Sequence, residues 1–584
     1  MASGSIVERV REAAYKHALI NAVRHGGKAR LGPVINKVVA ECPEIRSSVR
    51  DFIPVIEAVV REVNQLPLSE QARVVSERWP EALERRAEGP RGLPPLPNVG
   101  KYGRVVTRFA PNPDFVLTIG NARAAILSYK YAEMYRGVFI LRFEDTDPRT
   151  KRPIPEAYGL IREDLRWLGL KWDYEYVQSL RMPVYYHYAR RLIELGGAYV
   201  CTHSGEEVRA LRAKGARCEC ALLSVEEQLE RWDRMVKGEY AEGEAVLRVK
   251  TDPRHPDPSV RDWVAFRVID TSKYPHPLVG DKYVAWPTYN FAAAVDDHLM
   301  GVTHILRGKE HISNTVKQRY LYAHFRWEYP ETIHYGRLKL EGVMLSKSKM
   351  RRGIEEGRYE GWDDPRLGTL VALRRRGILP ETVQDLMLEL GVKESEATIS
   401  LKNLHAINRR YVEPRANRYM FVNSPAPLVI KCEGKLVARV PRHPSFPERG
   451  YREIVLEPEG GAVTVLVPRA DLDELPEGAL IRLLGLANVR VVRKSELGAE
   501  AVVHSLDPAD ARALGLKVVQ WAPENGIPTT VLKAEGAELR VVRGVSEPAA
   551  AELRVGDIAQ FYRFGFVRVE ERPPGELRAV YTHE

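Results

Sequence analysis

The stretch RFAPNPDFVLTIGNARAAIL, Arg108 to Leu127, joins a short apolar strand to a small-residue helix through a proline-rich turn. A strand-to-helix junction of this kind aims several unpaired backbone N–H groups at one point, and that point suits an anion. Taken alone, the turn is equally an ordinary βα connection in a parallel sheet. A second stretch, VMLSKSK from Val343 to Lys349, gathers two lysines and two serines in a short loop. Such a loop can hold phosphate through its cations or be no more than a solvated basic turn. In the third, Cys201-Thr-His203 is followed by Cys218-Glu-Cys220. Cys-x-His with Cys-x-Cys can close a tetrahedral zinc knuckle, structural because no ligand position is left open; the alternative is thiols and an imidazole packed against a hairpin.

These pieces need a frame. At 584 residues the chain is too long for one core and reads as about three to five domains. A hydrophobic content of 44% and a charged content of 28% exclude disordered and fibrous classes. The net charge of +10 is compatible with a polyanionic partner without requiring one. Five cysteines exclude a disulfide framework. No window is long and apolar enough to span a bilayer, and MASGSIVERVREAAYKHAL lacks the apolar core of a signal peptide. A cytoplasmic protein with no membrane partner is the expectation.

Helical periodicity over residues 5–88 gives way to GPRGLPPLPNVGKYG, so 1–100 read as a helical extension and a proline-rich linker. Strands such as RVVTRF and VFILRFE alternate with helices over 101–200, the rhythm of a parallel α/β sheet. Residues 201–284 lose that rhythm and read as an inserted domain, after which the α/β pattern returns over 285–350 and a helical piece spans 351–410. Short alternating strands then fill 411–584, an all-β region of one or two barrels. Within it, QFYRFGF reads as a strand buried on one face.

On this split frame LTIGNAR and VMLSKSK resemble the two signatures of class I aminoacyl-tRNA synthetases, usually His-Ile-Gly-His and Lys-Met-Ser-Lys-Ser. RFAPNP, RFEDTDP, DLRWLGLKWD, VDDHLMGVTHILRGKEH and QFYRFGFVRVE narrow the resemblance to the glutamyl- and glutaminyl-tRNA synthetases of the archaeal and eukaryotic branch, nearest to the archaeal glutamyl enzymes. The resemblance runs nearly end to end. It implies a Rossmann-like catalytic domain split by an acceptor-end-binding insertion, a helical stem-contact domain and β-barrel anticodon-binding domains. It further implies ATP with Mg2+, L-glutamate and tRNA(Glu) as partners, with tRNA(Gln) left open as a second substrate, and a monomer that needs tRNA before activation and acylates the 2′-hydroxyl.

Residue roles follow from the same resemblance. Lys347 would stabilise the transition state on the α- and β-phosphates, with Ser346 and Lys349 beside it. Gly120 would let ATP approach the helix start, and Glu310 would contact the nucleotide. Arg108 resembles the arginine that meets the substrate side chain, Glu144 the acid that receives the α-amino group, and Tyr289 the pocket tyrosine. Apart from the family, Arg108 and Glu144 read as ordinary strand-end ion pairs. Arg307 stands where glutamyl enzymes carry arginine and glutaminyl enzymes a small neutral residue, and its fork matches a γ-carboxylate. Similar Cys clusters occur in the family at Cys201, His203, Cys218 and Cys220. The chain departs from the pattern at Thr118 and Asn121, which replace the two histidines, and at Met344 and Leu345. Thr118 and Asn121 keep a catalytically weak tRNA-binding paralogue in view, and the nearest rival is a glutaminyl-tRNA synthetase, which Arg307 disfavours. A glutamyltransferase that modifies a tRNA base is disfavoured by the long β C-terminus.

Overall fold

A computed structural model describes residues 6–24, 27–45, 48–79 and 93–584, and the chain divides into two compact units, residues 1–91 and 92–584. The first unit is helical over Ile6–Arg24, Leu31–Glu41, Val49–Gln65 and Leu68–Arg78. Ile56, Val59, Val60 and Val63 repeat at helical spacing and are buried together with Val10, Ala14 and Leu19. The wholly buried Gln71 ties the loops, its amide donating to the carbonyls of Gly27, Val63 and Leu66. The part of the proline-rich linker before residue 93 lies outside the described residues.

In the second unit the apolar runs form parallel neighbours: β1 (Val106–Phe109) pairs with β2 (Val138–Phe143), and β2 with β3 (Tyr174–Val177). Every residue of β2 is buried, as expected of a strand covered on both faces. The insertion is an antiparallel sheet of β4 (Ala198–Cys201), β5 (Val246–Val249), β6 (Val264–Val268) and β7 (Ala285–Pro287), in that order. The parallel pair β8 (His304–Gly308) and β9 (Glu331–Tyr335) follows. The N–H of Thr303 donates to the carbonyl of Val106, which brings this second pair against β1.

The helices Leu370–Arg375, Pro380–Leu390 and Leu401–Val412 are not a separate body. Their Leu373, Val383, Met387 and Leu404 belong to one core with Phe109, Leu141 and Ile161 of the sheet and its helices. The C-terminal region contains two seven-stranded sheets. Strands at Arg418–Tyr419 and Phe421–Asn423 pair with Ile558–Phe561 and Glu538–Ser546. The chain therefore begins one sheet, leaves it to build the other from Pro425 to Pro523, and returns. The sequence QFYRFGF, expected as one strand, is a hairpin: Ile558–Phe561 turns through Arg563, at φ 57°, into Gly565–Glu571. The VMLSKSK stretch, expected as a loop, also differs. Ser346 is the N-cap of a helix, Lys347–Glu355, because Lys, Met and Arg after a serine favour helix over turn.

One side chain holds the helix Ile119–Met134 in place. Arg123, 1% exposed, donates to the carbonyl of Gly336 at 2.6 Å and to that of Gly391 at 2.8 and 3.1 Å, and lies over the Tyr335 ring. It thereby joins the helix to the end of β9 and the end of Pro380–Leu390. In Arg123→Met those buried carbonyls lose their donors, and a destabilisation of about 3 kcal/mol is expected. Calorimetry should show a lowered midpoint for the second unit; an unchanged midpoint would mean that the two carbonyls find other donors.

Candidate active site

The C-terminal ends of β1 and β2, the start of Ile119–Met134 and the segment around Tyr289 and Arg307 enclose a cleft of about 720 Å³. This is the end of an open parallel sheet at which ligands bind. Arg108, Thr118, Gly120, Asn121, Glu144, Tyr289, Arg307, Glu310 and Lys347 all line it. Ser346 and Lys349 do not: both are exposed, and the Ser346 hydroxyl faces that of Ser348 at 3.2 Å.

Arg142 is the residue that the sequence reading passed over. It sits in the apolar strand VFILRF with no exposed surface, and a guanidinium there demands a buried partner. Asp297, on the helix Tyr289–Leu299, is that partner: Arg142 Nη1 donates to its Oδ1 at 2.8 Å. The same oxygen accepts from Arg108 Nε at 3.1 Å, and Arg142 Nη2 donates to Glu144 Oε1 at 2.9 Å. Arg108 and Glu144 are thus not isolated strand-end pairs but the two ends of one buried chain. Burial works to raise the Asp297 carboxyl, yet Arg108 and Arg142 hold it below the usual carboxylate range. At Glu144 burial wins over the same two arginines and pushes its carboxyl up. An incoming ammonium would relieve that penalty. The signal for Asp297 was present in the sequence: two adjacent acids close an otherwise apolar helix, YNFAAAVDDHL.

With two guanidiniums and two carboxylates in balance, Arg307 is left over. It is 5% exposed, and its Nη2 donates to Thr315 Oγ1 at 2.6 Å, Tyr329 OH at 3.0 Å and Gln318 Oε1 at 3.1 Å. Its Nη1 reaches Tyr289 OH at 3.4 Å. Among the described residues no carboxylate lies within ion-pairing distance of it. Burial works to lower its pKa, but Tyr289, Tyr329 and Asp297 outweigh burial and raise it above the ordinary guanidinium value. His311 beside it is driven down to about 4, first by burial and then by Arg307, and so adds no charge at neutral pH.

The altered first signature is a capping arrangement. Thr118 is the N-cap of Ile119–Met134, and both its N–H and its hydroxyl donate to Asn121 Oδ1 at 3.0 Å. Because a backbone N–H can only donate, the oxygen of Asn121 faces Thr118, and its amide nitrogen remains as the donor end. The second signature is stitched to the first through Gly368. Its N–H donates to Met344 O, and its carbonyl accepts from Ile119 N. A Cβ at 368 would lie 2.4 Å from Leu345 Cδ2, so glycine is what permits the close approach. Lys347, at the first position of its helix, rests 3.2 Å from Asp114 Oδ1. Glu310 lies 3.6 Å from Arg337 at the rim.

In the insertion, Cys201 ends β4, and the ligand atoms of Cys201, His203, Cys218 and Cys220 lie within 4.8 Å of one another. Sulfur atoms of Cys201 and Cys218 are 3.7 Å apart, and His203 Nδ1 is 3.2 and 3.3 Å from those of Cys218 and Cys220. A tetrahedron with bonds of about 2.3 Å has edges of roughly 3.8 Å. Glu219 faces the other imidazole nitrogen of His203 at 3.7 Å, as an orienting carboxylate would. Three thiols and one imidazole at this spacing fit zinc.

Residues 104–414 match the catalytic domain of the class I tRNA synthetases (E and Q), and residues 416–506 and 518–570 match two anti-codon binding domains of that group. The chain is 55% identical over 582 residues to a glutamate–tRNA ligase of Thermofilum pendens, covering 98% of this chain and 99% of that protein. It is 53% identical to the glutamate–tRNA ligase of Hyperthermus butylicus, over 97% of this chain and all of the relative. Identity to the Pyrococcus abyssi glutamate–tRNA ligase is 52%, over 99% of this chain and 100% of that protein. With its split parallel sheet, its two stitched signatures and this match across the whole chain, the protein belongs to the E and Q family of class I tRNA synthetases.

Proposed function

We propose that this protein is a glutamate–tRNA ligase: it activates L-glutamate with ATP and transfers it to the terminal adenosine of tRNA(Glu). One observation carries the amino-acid assignment. Arg307 is a buried cation with no carboxylate partner among the described residues, beside a group in which Arg108, Arg142, Asp297 and Glu144 balance one another. A γ-carboxylate supplies the missing charge, and an amide does not. Arg108, fixed by Asp297, stands on the same cleft, and Glu144 offers an oxygen to the α-ammonium. With both ends of glutamate held, its α-carboxylate is left to face the nucleotide.

In the first step an oxygen of that α-carboxylate attacks the α-phosphorus of ATP. The bond from this phosphorus to the bridging oxygen breaks, and pyrophosphate leaves. Negative charge grows on the phosphoryl oxygens, so catalysis is a matter of position and placed positive charge. Lys347 supplies that charge after leaving Asp114, a partly exposed pair worth about 1 kcal/mol or less. The side-chain amide of Asn121 and the N–H of Gly120 serve the same oxygens without an imidazolium, the N–H groups of Ile119 and Asn121 being engaged by carbonyls of the protein. Magnesium carried with ATP would supply neutralising charge for the leaving pyrophosphate. In the second step the 2′-hydroxyl of the tRNA attacks the acyl carbon, and AMP leaves. Cys201, His203, Cys218 and Cys220 would hold a structural zinc that knits the insertion and takes no part in either step.

Glutamate-dependent pyrophosphate exchange in the presence of tRNA is expected in the unmodified protein. Lys347→Ala should lower it by about 3 kcal/mol, or roughly a hundredfold. A protein that binds tRNA yet shows no exchange would favour the tRNA-binding paralogue instead. Arg307→Cys should reduce kcat/KM for glutamate by about 3 to 5 kcal/mol while harming glutamine far less. An equal drop for both amino acids would remove Arg307 from side-chain selection. Elemental analysis should find one zinc per chain, lost on Cys218→Ser together with stability of the insertion. A metal-free protein of full stability and charging activity would reduce the cluster to packing.

A further inference from the structure

We propose that Gln318 sets the amino-acid preference of the site, by anchoring Arg307 through a neutral oxygen so that the charge of the guanidinium is kept for the substrate. The inference rests on the reading of Arg307 as the partner of the γ-carboxylate. Gln318 lies on the helix Ile312–Phe325 and has no exposed surface. Its Oε1 accepts from Arg307 Nη2 at 3.1 Å and from Tyr329 OH at 2.8 Å. Arginine has no acceptor, so the atom turned toward it is the amide oxygen. That orientation leaves Gln318 Nε2 buried without a hydrogen-bond partner among the described residues.

An orphaned buried donor is a standing cost, and the isosteric glutamate would replace that donor with a carboxylate oxygen. Glutamate at 318 has two acceptor oxygens and no N–H, and it would accept from both Arg307 and Tyr329 in the same geometry. It would also neutralise Arg307, which would then have no charge left over for a γ-carboxylate. Leucine or methionine would remove the orphan too, but would leave the fork held only by hydroxyls. Glutamine fixes the fork without cancelling its charge. The remaining partners of Nη2, Thr315 Oγ1 and Tyr329 OH, are neutral for the same reason. Gln318 touches no substrate in this account; it is a positioning residue that acts through Arg307.

The test compares Gln318→Glu and Gln318→Met with the wild type in tRNA-dependent pyrophosphate exchange, with glutamate, glutamine and ATP varied in turn. For Gln318→Glu, kcat/KM for glutamate should fall by about a hundredfold, chiefly through KM, while glutamine changes by less than about threefold and KM for ATP holds. Gln318→Met keeps the charge and loses the anchor, so KM for glutamate should rise by about tenfold without any shift of preference toward glutamine. Gln318→Glu with glutamate preference intact, or with both amino acids impaired alike, overturns the proposal. If Gln318→Glu does not fold, Gln318→Met decides, and an unchanged glutamate KM overturns it. A wild type without glutamate-dependent exchange, or Arg307→Cys acting equally on both amino acids, contradicts the glutamate reading itself. Arg307→Cys separating the amino acids while the Gln318 variants do not contradicts only the role of Gln318.

Discussion

The carboxylate of Asp297 is buried, yet it receives hydrogen bonds from two guanidiniums that arrive on different strands. Arg108 and Arg142 stand 189 and 155 residues before it in the chain, with the whole insertion in between. Closing the split sheet and assembling the site are therefore one event. Without the helix Tyr289–Leu299 Arg108 would lose its carboxylate partner and Arg142 would keep only Glu144, and leaving a buried charge uncompensated costs several kcal/mol. The same contact aims Arg108 into the cleft and, through Arg142, fixes Glu144. Substrate-facing charges are thus held by buried ones, which keeps them in place without closing them off from a ligand.

Charge balance in the cleft underlies the proposed preference for glutamate. Arg108, Arg142, Asp297 and Glu144 sum to zero, and Arg307 is held by oxygens that carry no charge. On the proposed reading an entering γ-carboxylate supplies the charge that Arg307 lacks. At the nucleotide end the logic differs. Thr118 and Asn121 satisfy one another at the helix start, and the two signatures are tied through Gly368. That end presents the N–H of Gly120, the amide of Asn121 and the ammonium of Lys347 in place of imidazole. Loss of the two usual histidines therefore leaves a site with donors still in position.

Much of this was legible in the sequence, for physical reasons that can be named. The alternation of strand and helix, the break at the insertion and the change to short strands near Arg410 all follow from hydrophobic period. The nine cleft residues were found because the resemblance attaches roles to positions. Arg142, Asp297 and Gln318 were not found, because each acts on another side chain and none belongs to a signature. A buried arginine in VFILRF and paired acids in an apolar helix were visible, but pairing them requires knowledge of which elements meet. The hairpin at Arg563 and the helix at Lys347 were missed for a different reason. Aromatic runs suit a strand and its turn equally, and Ser-Lys-Ser-Lys suits a loop as well as a helix start until the cap is seen.

The central claim is that glutamate completes a charge pattern already built into the cleft. A crystal structure of the protein with L-glutamate and a non-hydrolysable ATP analogue tests it most directly. The account predicts the γ-carboxylate within hydrogen-bonding distance of Arg307, the ammonium against Glu144, and the contacts of Asp297 to Arg108 and Arg142 unbroken. A glutamate bound in the reverse sense, or a γ-carboxylate out of reach of Arg307 with another anion seated there, would contradict it.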